Sequence, residues 1–246
     1  MTTAAPSFTP PTQLFATDAY EAVGAILGAT EPLVIVDGGA HIGRVTRRLL
    51  GAFPAATIYA FEPVRETFDQ LASALADEPR ATAVHAALGG APDELEIRVN
   101  GCTGTSSILT AANRLHGYHG EKVTLRRTET VPVVTLDDWS DEQGVDRIDF
   151  LKLDLQGFEL EALKGADRLL RTSVRAVYSE AQLVELYEDA ALFGDLDRFL
   201  RDRGFDLYRI QEIFGGGPEQ RSTCCDAIWI ERDTLSDYCE RIGAPA

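Results

Sequence analysis

The chain has 246 residues, 45% of them hydrophobic and 25% charged, enough apolar content to bury a sizeable core. A disordered tail, a collagen-like repeat and a disulfide-stapled mini-protein are thereby excluded. With 23 Lys and Arg against 39 Asp and Glu, the formal net charge is −16. So acidic a surface repels phosphate backbones and anionic bilayers, which speaks against nucleic acid and membrane partners. The apolar runs, such as 33–36 and 148–151, fall far short of the about 20 residues of a membrane span. Residues 1–11 are rich in Thr, Pro and Ala and lack the basic start and apolar run of a secretion signal. Cys102, Cys224, Cys225 and Cys239 show neither a disulfide framework nor C-x-x-C spacing. The expectation is a cytoplasmic protein with inert thiols.

In chain order, residues 1–30 read as an N-terminal extension and helix, and 31–246 as a single domain. Helix-like segments cover 18–27, 43–52, 64–76, 159–170 and 195–203. Strand candidates are 33–37, 57–62, 82–87, 148–153, 174–180, 205–210 and 227–231. Near-continuous apolar runs such as Leu33-Val34-Ile35-Val36 suit strands covered on both faces. Their alternation with helices predicts a mostly parallel, doubly wound Rossmann-like α/β sheet. Residues 93–139 break the rhythm: three alternating runs flank a stretch at 101–120. They read as a β-hairpin-like insertion between the third and fourth core strands. Its Gly/Ser/Thr-rich tip, 101–107, reads as mobile, a lid or a binding loop.

The first strand runs into Asp37-Gly38-Gly39-Ala40-His41-Ile42-Gly43. Glycines admit a tight turn and close approach of a ligand, and the following helix start presents free N–H groups. The spacing fits two cofactors. Gly38-x-Ala40-x-x-Gly43 imitates the dinucleotide fingerprint, and Asp37-x-Gly39-x-x-x-Gly43 the looser turn of enzymes that use S-adenosylmethionine (SAM). An Asp37 carboxylate facing the turn would repel a pyrophosphate and suit a sulfonium and an ammonium, which favours SAM. Glu62, in Phe61-Glu62-Pro63 at the end of the next strand, is placed to take both hydroxyls of a ribose. The small Ala86 and Ala87 after the third strand leave room for an adenine, with His85 as a core-rim histidine.

The fourth strand carries the most specific pattern, Leu151-Lys152-Leu153-Asp154-Leu155-Gln156-Gly157-Phe158-Glu159. Asp154 falls at the carboxyl end, where an open α/β sheet holds its chemistry. Glu159 sits in the first turn of the next helix, where its charge suits the dipole. Together with the glycine turn, Phe61-Glu62-Pro63, Thr105-Ser106-Ser107, Tyr178-Ser179-Glu180 and Glu185-Leu186-Tyr187, this pattern resembles the FkbM family of SAM-dependent methyltransferases. The resemblance implies a class I methyltransferase fold: seven strands, the last antiparallel, with SAM across the carboxyl edge. It also implies methylation of hydroxyl groups on sugars, polyketides and other secondary metabolites. The cofactor-binding candidates are Asp37, Gly38, Gly39, Ala40, His41, Gly43, Glu62, Pro63, Ala86, Ala87, Ser106 and Asp154. Two positions depart from the family pattern: His41 stands where Asn is common, and Gln156 where Glu is common.

An alcohol acceptor must lose its proton as the new bond forms, so a carboxylate or histidine belongs within reach. Asp154 is the first choice and Glu180, ending the fifth strand, the second. Alternatively the two acids hold a divalent metal such as Mg2+ that acidifies the hydroxyl. No third ligand is evident, and no metal ligands are assigned. Tyr118 and Lys122 spell the Y-x-x-x-K of short-chain dehydrogenases, but Gly117 and Gly120 speak against the helix that pair needs. His116 and His119 read as lid or surface histidines, and Arg126-Arg127 as a solvated face. Gly215-Gly216-Gly217-Pro218 reads as a hairpin tip, since no Gly-Lys-Ser/Thr follows. The expected partner is a small hydroxylated substrate. The alternatives are a nicotinamide oxidoreductase and a non-catalytic SAM-binding protein, and the choice between monomer and homo-oligomer stays open.

Overall fold

The computed structural model describes residues 8–13, 17–216 and 221–244, with the backbone alone for 8–13. Gly217 and Pro218 of the expected hairpin tip, and residues 1–7 and 14–16 of the N-terminal extension, lie outside the described residues. The elements begin with β1 (Phe8–Gln13), α1 (Ala19–Leu27), β2 (Val34–Gly38), α2 (Arg44–Ala52), β3 (Thr57–Phe61), α3 (Arg65–Leu75) and β4 (Ala81–Val84). There follow β5 (Ala87–Leu88), β6 (Asp93–Asn100), α4 (Asn113–His119), β7 (Leu125–Val134), α5 (Leu136–Gln143) and β8 (Phe150–Leu153). The chain continues through α6 (Glu159–Lys164), α7 (Asp167–Thr172), β9 (Ala176–Gln182), α8 (Phe193–Arg201), β10 (Phe205–Gly216), β11 (Arg221–Glu231) and α9 (Arg232–Ile242).

The main sheet has the order β1-β10-β11-β9-β8-β2-β3-β4. The pairs from β4 to β9 are parallel, and β11 runs antiparallel to both β9 and β10. These seven strands are the seven read from the sequence. The difference is β1, which adds an antiparallel eighth strand at the β10 edge. Alternate residues of each strand feed opposite layers, as the two-residue period of a strand requires. Ile35, Phe150 and Ile228 join a core with α1, α2, α3 and α9. Val36, Leu151 and Trp229 join the other core, with α5, α6, α7 and α8. The chain thus forms a three-layer α/β/α sandwich.

Several helices differ from expectation. Asp18 caps α1, its carboxylate accepting from Tyr20 N at 2.8 Å. The expected helix at 159–170 is two, α6 and α7, interrupted at Gly165 and Ala166. A side chain at Gly165 would place Cβ 2.0 Å from the Gly89 carbonyl oxygen, so the helix passes there hard against the neighbouring backbone. The unanticipated α5 is capped by Thr135, whose Oγ1 accepts from Asp138 N at 3.0 Å, and α9 by Glu231.

The insertion is a three-stranded sheet, β5-β7-β6, with β6 and β7 antiparallel over most of their length. It has its own apolar core of Ile97, Val99, Val131 and Val133 against Val64 and Ala87. A helix does form in it, α4, which ends where Gly120 takes φ 54°. Tyr118 lies in α4 and Lys122 in the 3-10 turn that follows, so the pair shares no continuous α-helix. Among the described residues, no helix is long and apolar enough to cross a membrane.

Candidate functional site

Strand order reverses between β2 and β8, and there the carboxyl ends of an open sheet leave a crevice. The turn Gly39–Gly43 connects β2 to α2 inside it. Gly39 takes φ 72°, and a Cβ on it would lie 1.9 Å from the Asp154 carbonyl oxygen. Only glycine lets this turn close on the end of β8. Gly39 N and Ala40 N donate to the Phe61 carbonyl, which ties the turn to β3 as well.

Asp37 is placed otherwise than the sequence suggested. Its carboxylate turns into the interior, 2.9 Å from Lys152 Nζ, and Thr46 Oγ1 donates to its second oxygen at 2.7 Å. Both members of the ion pair are buried, at 2% and 0% exposure. Lys152 also donates to the carbonyls of Gly38 and Gly39 at 3.2 and 3.3 Å. Burial opposes the lysine's charge, but Asp37 and Asp154 outweigh it and hold the ammonium above its ordinary range. Asp37 therefore holds the turn together through Lys152 rather than presenting a free charge to a ligand.

A cleft of about 250 Å³ opens beyond the turn. Of the residues singled out from the sequence, Gly39, Ala40, His41, Glu62, Pro63, Ala86, Ala87, Ser106 and Asp154 line it. Asp37, Gly38 and Gly43 do not; they stand behind its wall. Glu62 is 6% exposed, with Oε2 accepting from His41 N at 3.0 Å and Oε1 from Val64 N at 2.9 Å. Burial pushes its carboxyl up to about 7. His85 does not line the cleft; its Nε2 lies 3.0 Å from the Pro63 carbonyl oxygen and its ring packs against Phe68.

The Gly/Ser/Thr-rich tip of the insertion closes one side of the cleft and is tied down at several points. His41 Nε2 lies 2.7 Å from Thr103 Oγ1, Asn100 Nδ2 donates to the Thr105 carbonyl at 2.7 Å, and Ser107 Oγ donates to the Gln156 carbonyl at 2.8 Å. Burial lowers the pKa of His41 below the usual histidine value, which keeps the ring neutral. Among the described residues, three non-glycine residues have positive φ; two of them, His41 and Gln156, line this cleft.

Asp154 and Glu180, the two candidate acids, come together through a third residue. Gln156 Nε2 donates to Asp154 Oδ1 at 2.7 Å and to Glu180 Oε2 at 3.3 Å. Glu180 is opposite Asp226 in the β9–β11 register. Burial, then Asp154, Asp226 and Glu159 around it, hold Glu180 well above the usual carboxylate range. Burial also lifts Asp226 to about 7, while Tyr178 donates to its Oδ2 at 2.6 Å. Glu159, likewise raised by burial to about 7, ties the turn after β8, accepting from Leu155 N at 2.7 Å and Gly157 N at 3.2 Å. Among the described residues, no group of three or more His, Cys, Asp or Glu is arranged to hold a metal ion. The Mg2+ alternative thus finds no third ligand, and an amide NH2 bridges the two acids it would have joined. Lys152, Arg44, Thr103 and Gln156 line the cleft without having been singled out for it.

A seven-stranded core sheet that is parallel except for β11, with a glycine turn after its first strand and an acid ending the second, defines a Rossmann-like methyltransferase fold. Residues 37–207 match the Methyltransferase FkbM domain, and the chain belongs to that family of methyltransferases. It is 30% identical to the methyltransferase sdnD of Sordaria araneosa over 197 residues, covering 71% of this chain and 74% of that one. It is 27% identical to the 2-O-methyltransferase NoeI of Sinorhizobium fredii (69% and 71% covered) and 26% to the hexuronic acid methyltransferase AglP of Haloferax volcanii (74% and 73%). The crystal structure of an FkbM methyltransferase from Methylobacillus flagellatus superposes with a TM-score of 0.51 at 18% identity, which bears on the fold. That comparison covers 86% of this chain and 55% of the solved one.

Proposed function

We propose that this methyltransferase moves the methyl group of SAM to a hydroxyl oxygen of a small metabolite or sugar. SAM, when bound, supplies an electrophilic methyl group on a sulfonium. The side chains of the cleft fit such a cofactor in kind. Glu62 offers a carboxylate to a ribose diol, Ala86 and Ala87 leave apolar room for a purine, and Arg44 offers a cation to the carboxylate of an amino-acid end. The methyltransferase family supports SAM over a nicotinamide dinucleotide.

The chain's contribution to the chemistry is positioning and a proton acceptor. Asp154 carries the reading. It lines the cleft at the carboxyl end of β8, and among the described residues only its Oδ1 takes a protein hydrogen bond. Oδ2 is left to accept the proton of an acceptor hydroxyl. Glu180, outside the cleft wall and held toward its neutral form, supports Asp154 through Gln156 rather than acting as a second base. The insertion tip, tied to His41 and Gln156, shields the cleft from water on one side. An oxygen acceptor on a polyhydroxylated small molecule is further supported by the names of two relatives, a 2-O-methyltransferase and a hexuronic acid methyltransferase.

The test is a mass-spectrometric screen of SAM against neutral and uronic-acid methyl glycosides and hydroxylated aromatics, with wild type and Asp154→Asn. The reading expects O-methylated product from wild type and a kcat lower by roughly 100- to 10,000-fold in Asp154→Asn, with S-adenosylhomocysteine (SAH) still bound. Undiminished turnover in Asp154→Asn would remove Asp154 as the base.

A further inference from the structure

Gln156 has φ 54°, a conformation that non-glycine residues adopt under constraint. Its surroundings supply the constraint from four directions. Ser107 Oγ donates to its backbone carbonyl at 2.8 Å, and its Nε2 donates to Asp154 and Glu180. The Tyr187 hydroxyl lies 2.8 Å from Oε1 and 3.1 Å from the Thr105 carbonyl, and donates to one of them at a time. These partners fix the amide's orientation. The carboxyl oxygens of Asp154 and Glu180 accept from the NH2, while the hydroxyl can serve the carbonyl oxygen.

The two acids need compensation. Asp226 from β11 and Glu159 from α6 add to the negative field at Glu180, with the Cys224 thiol 3.8 Å from its Oε1. Tyr178 is engaged with Asp226. The nearby cation, Lys152 on β8, reaches the two acids through its field alone, its close contacts being with Asp37 and the turn carbonyls. We propose that Gln156 is a positioning residue for the methyl-transfer base: its NH2, shared between Asp154 and Glu180, stands where a bridging cation would otherwise sit and aims Asp154 into the cleft. This inference rests on the methyl-transfer reading above. It assigns a purpose to an amide at a position where a carboxylate would leave three acids facing one another.

The test is a carbon-13 NMR titration of the Asp154 and Glu180 carboxyls in the full chain with SAH added, assigned with Asp154→Asn and Glu180→Gln. Wild type is compared with Gln156→Met, which keeps length without the donor, and Gln156→Glu, which keeps shape and adds charge. A donor to the ionised form is lost in the first and a like charge gained in the second. The Asp154 midpoint is expected to rise by about one pH unit or more in Gln156→Met and further in Gln156→Glu. Midpoints within about 0.3 unit of wild type in both variants would overturn the inference. Should Gln156→Met not fold, the isosteric Gln156→Glu decides alone. A wild-type chain whose melting temperature ignores SAH would instead overturn the methyl-transfer reading itself.

Discussion

Replacing Lys152 by methionine keeps most of the buried stem and deletes the ammonium, leaving the Asp37 carboxylate fully buried with Thr46 as its remaining partner. Breaking a buried pair from one side costs about 3–5 kcal/mol, because the surviving charge is neither solvated nor paired. The upper half of that range is expected here, since the ammonium also holds the carbonyls of Gly38 and Gly39. At about 2–4 °C per kcal/mol for a chain of this size, the melting temperature should fall by roughly 8–20 °C. Urea unfolding at pH 7.5 of wild type, Lys152→Met, Asp37→Leu and the double variant gives the measurement. The double variant should lose less than the two single losses combined, because it leaves no orphan charge. A loss below about 1 kcal/mol in Lys152→Met, or strict additivity in the cycle, would refute the buried-pair account of the glycine turn.

Three further outcomes are expected. Gly39→Ala, whose Cβ would meet the Asp154 carbonyl at 1.9 Å, should force β2 and β8 apart and abolish SAH binding; wild-type affinity by calorimetry would contradict the close approach. Glu62→Ala should weaken SAH binding roughly 10- to 100-fold, the worth of hydrogen bonds to a charged group of about 1.5–3 kcal/mol. Because burial lifts Glu62 to about 7 and a diol donates to the ionised form, wild-type affinity should rise between pH 6 and pH 8, and Glu62→Gln should flatten that rise. Glu159, also lifted to about 7, favours the folded state in its neutral form. That contribution is complete below the unfolded value of about 4.3 and is lost as pH rises through about 7. At pH 8, Glu159→Gln, which still accepts from Leu155 N and Gly157 N, should be at least as stable as wild type. Glu159→Ala should lose about 1–3 kcal/mol, and equal losses in the two variants by urea unfolding would contradict this role.

The seven core strands were legible because each is an apolar run bounded by turn residues, a local property. The helices missed had local signals too. Thr135 ahead of Leu136 and Trp139 is a capped amphipathic start, hidden by its adjacency to the strand-like Val131–Val134 stretch. Glu231 caps α9 as the last residue of a strand, a double duty that periodicity does not separate. The break at Gly165 depends on the Gly89 backbone across the fold and has no local signature. The site divides in the same way. Gly39, Glu62 and Asp154 fall in the cleft because strand ends locate them. The fate of Asp37 turned on register: β2 and β8 place Asp37 opposite Lys152, a pairing between residues far apart in the chain. A lone lysine between Leu151 and Leu153 was the available hint of a buried partner. The bridge from Gln156 to Glu180 depends in the same way on where β9 lies beside β8, and the tie between the insertion tip and His41 on how the second sheet docks.

The cleft between β2, β3 and β8 is expected to take SAM and its thioether product SAH. Thermal unfolding with SAH, SAM, NAD and NADP in parallel measures this. A ligand at 100 times its Kd stabilises by about 2.7 kcal/mol, or roughly 5–10 °C here. That shift is expected with SAH and SAM, its loss in Gly39→Ala, and no response to NAD or NADP. A shift with NAD or NADP and none with SAH would contradict it.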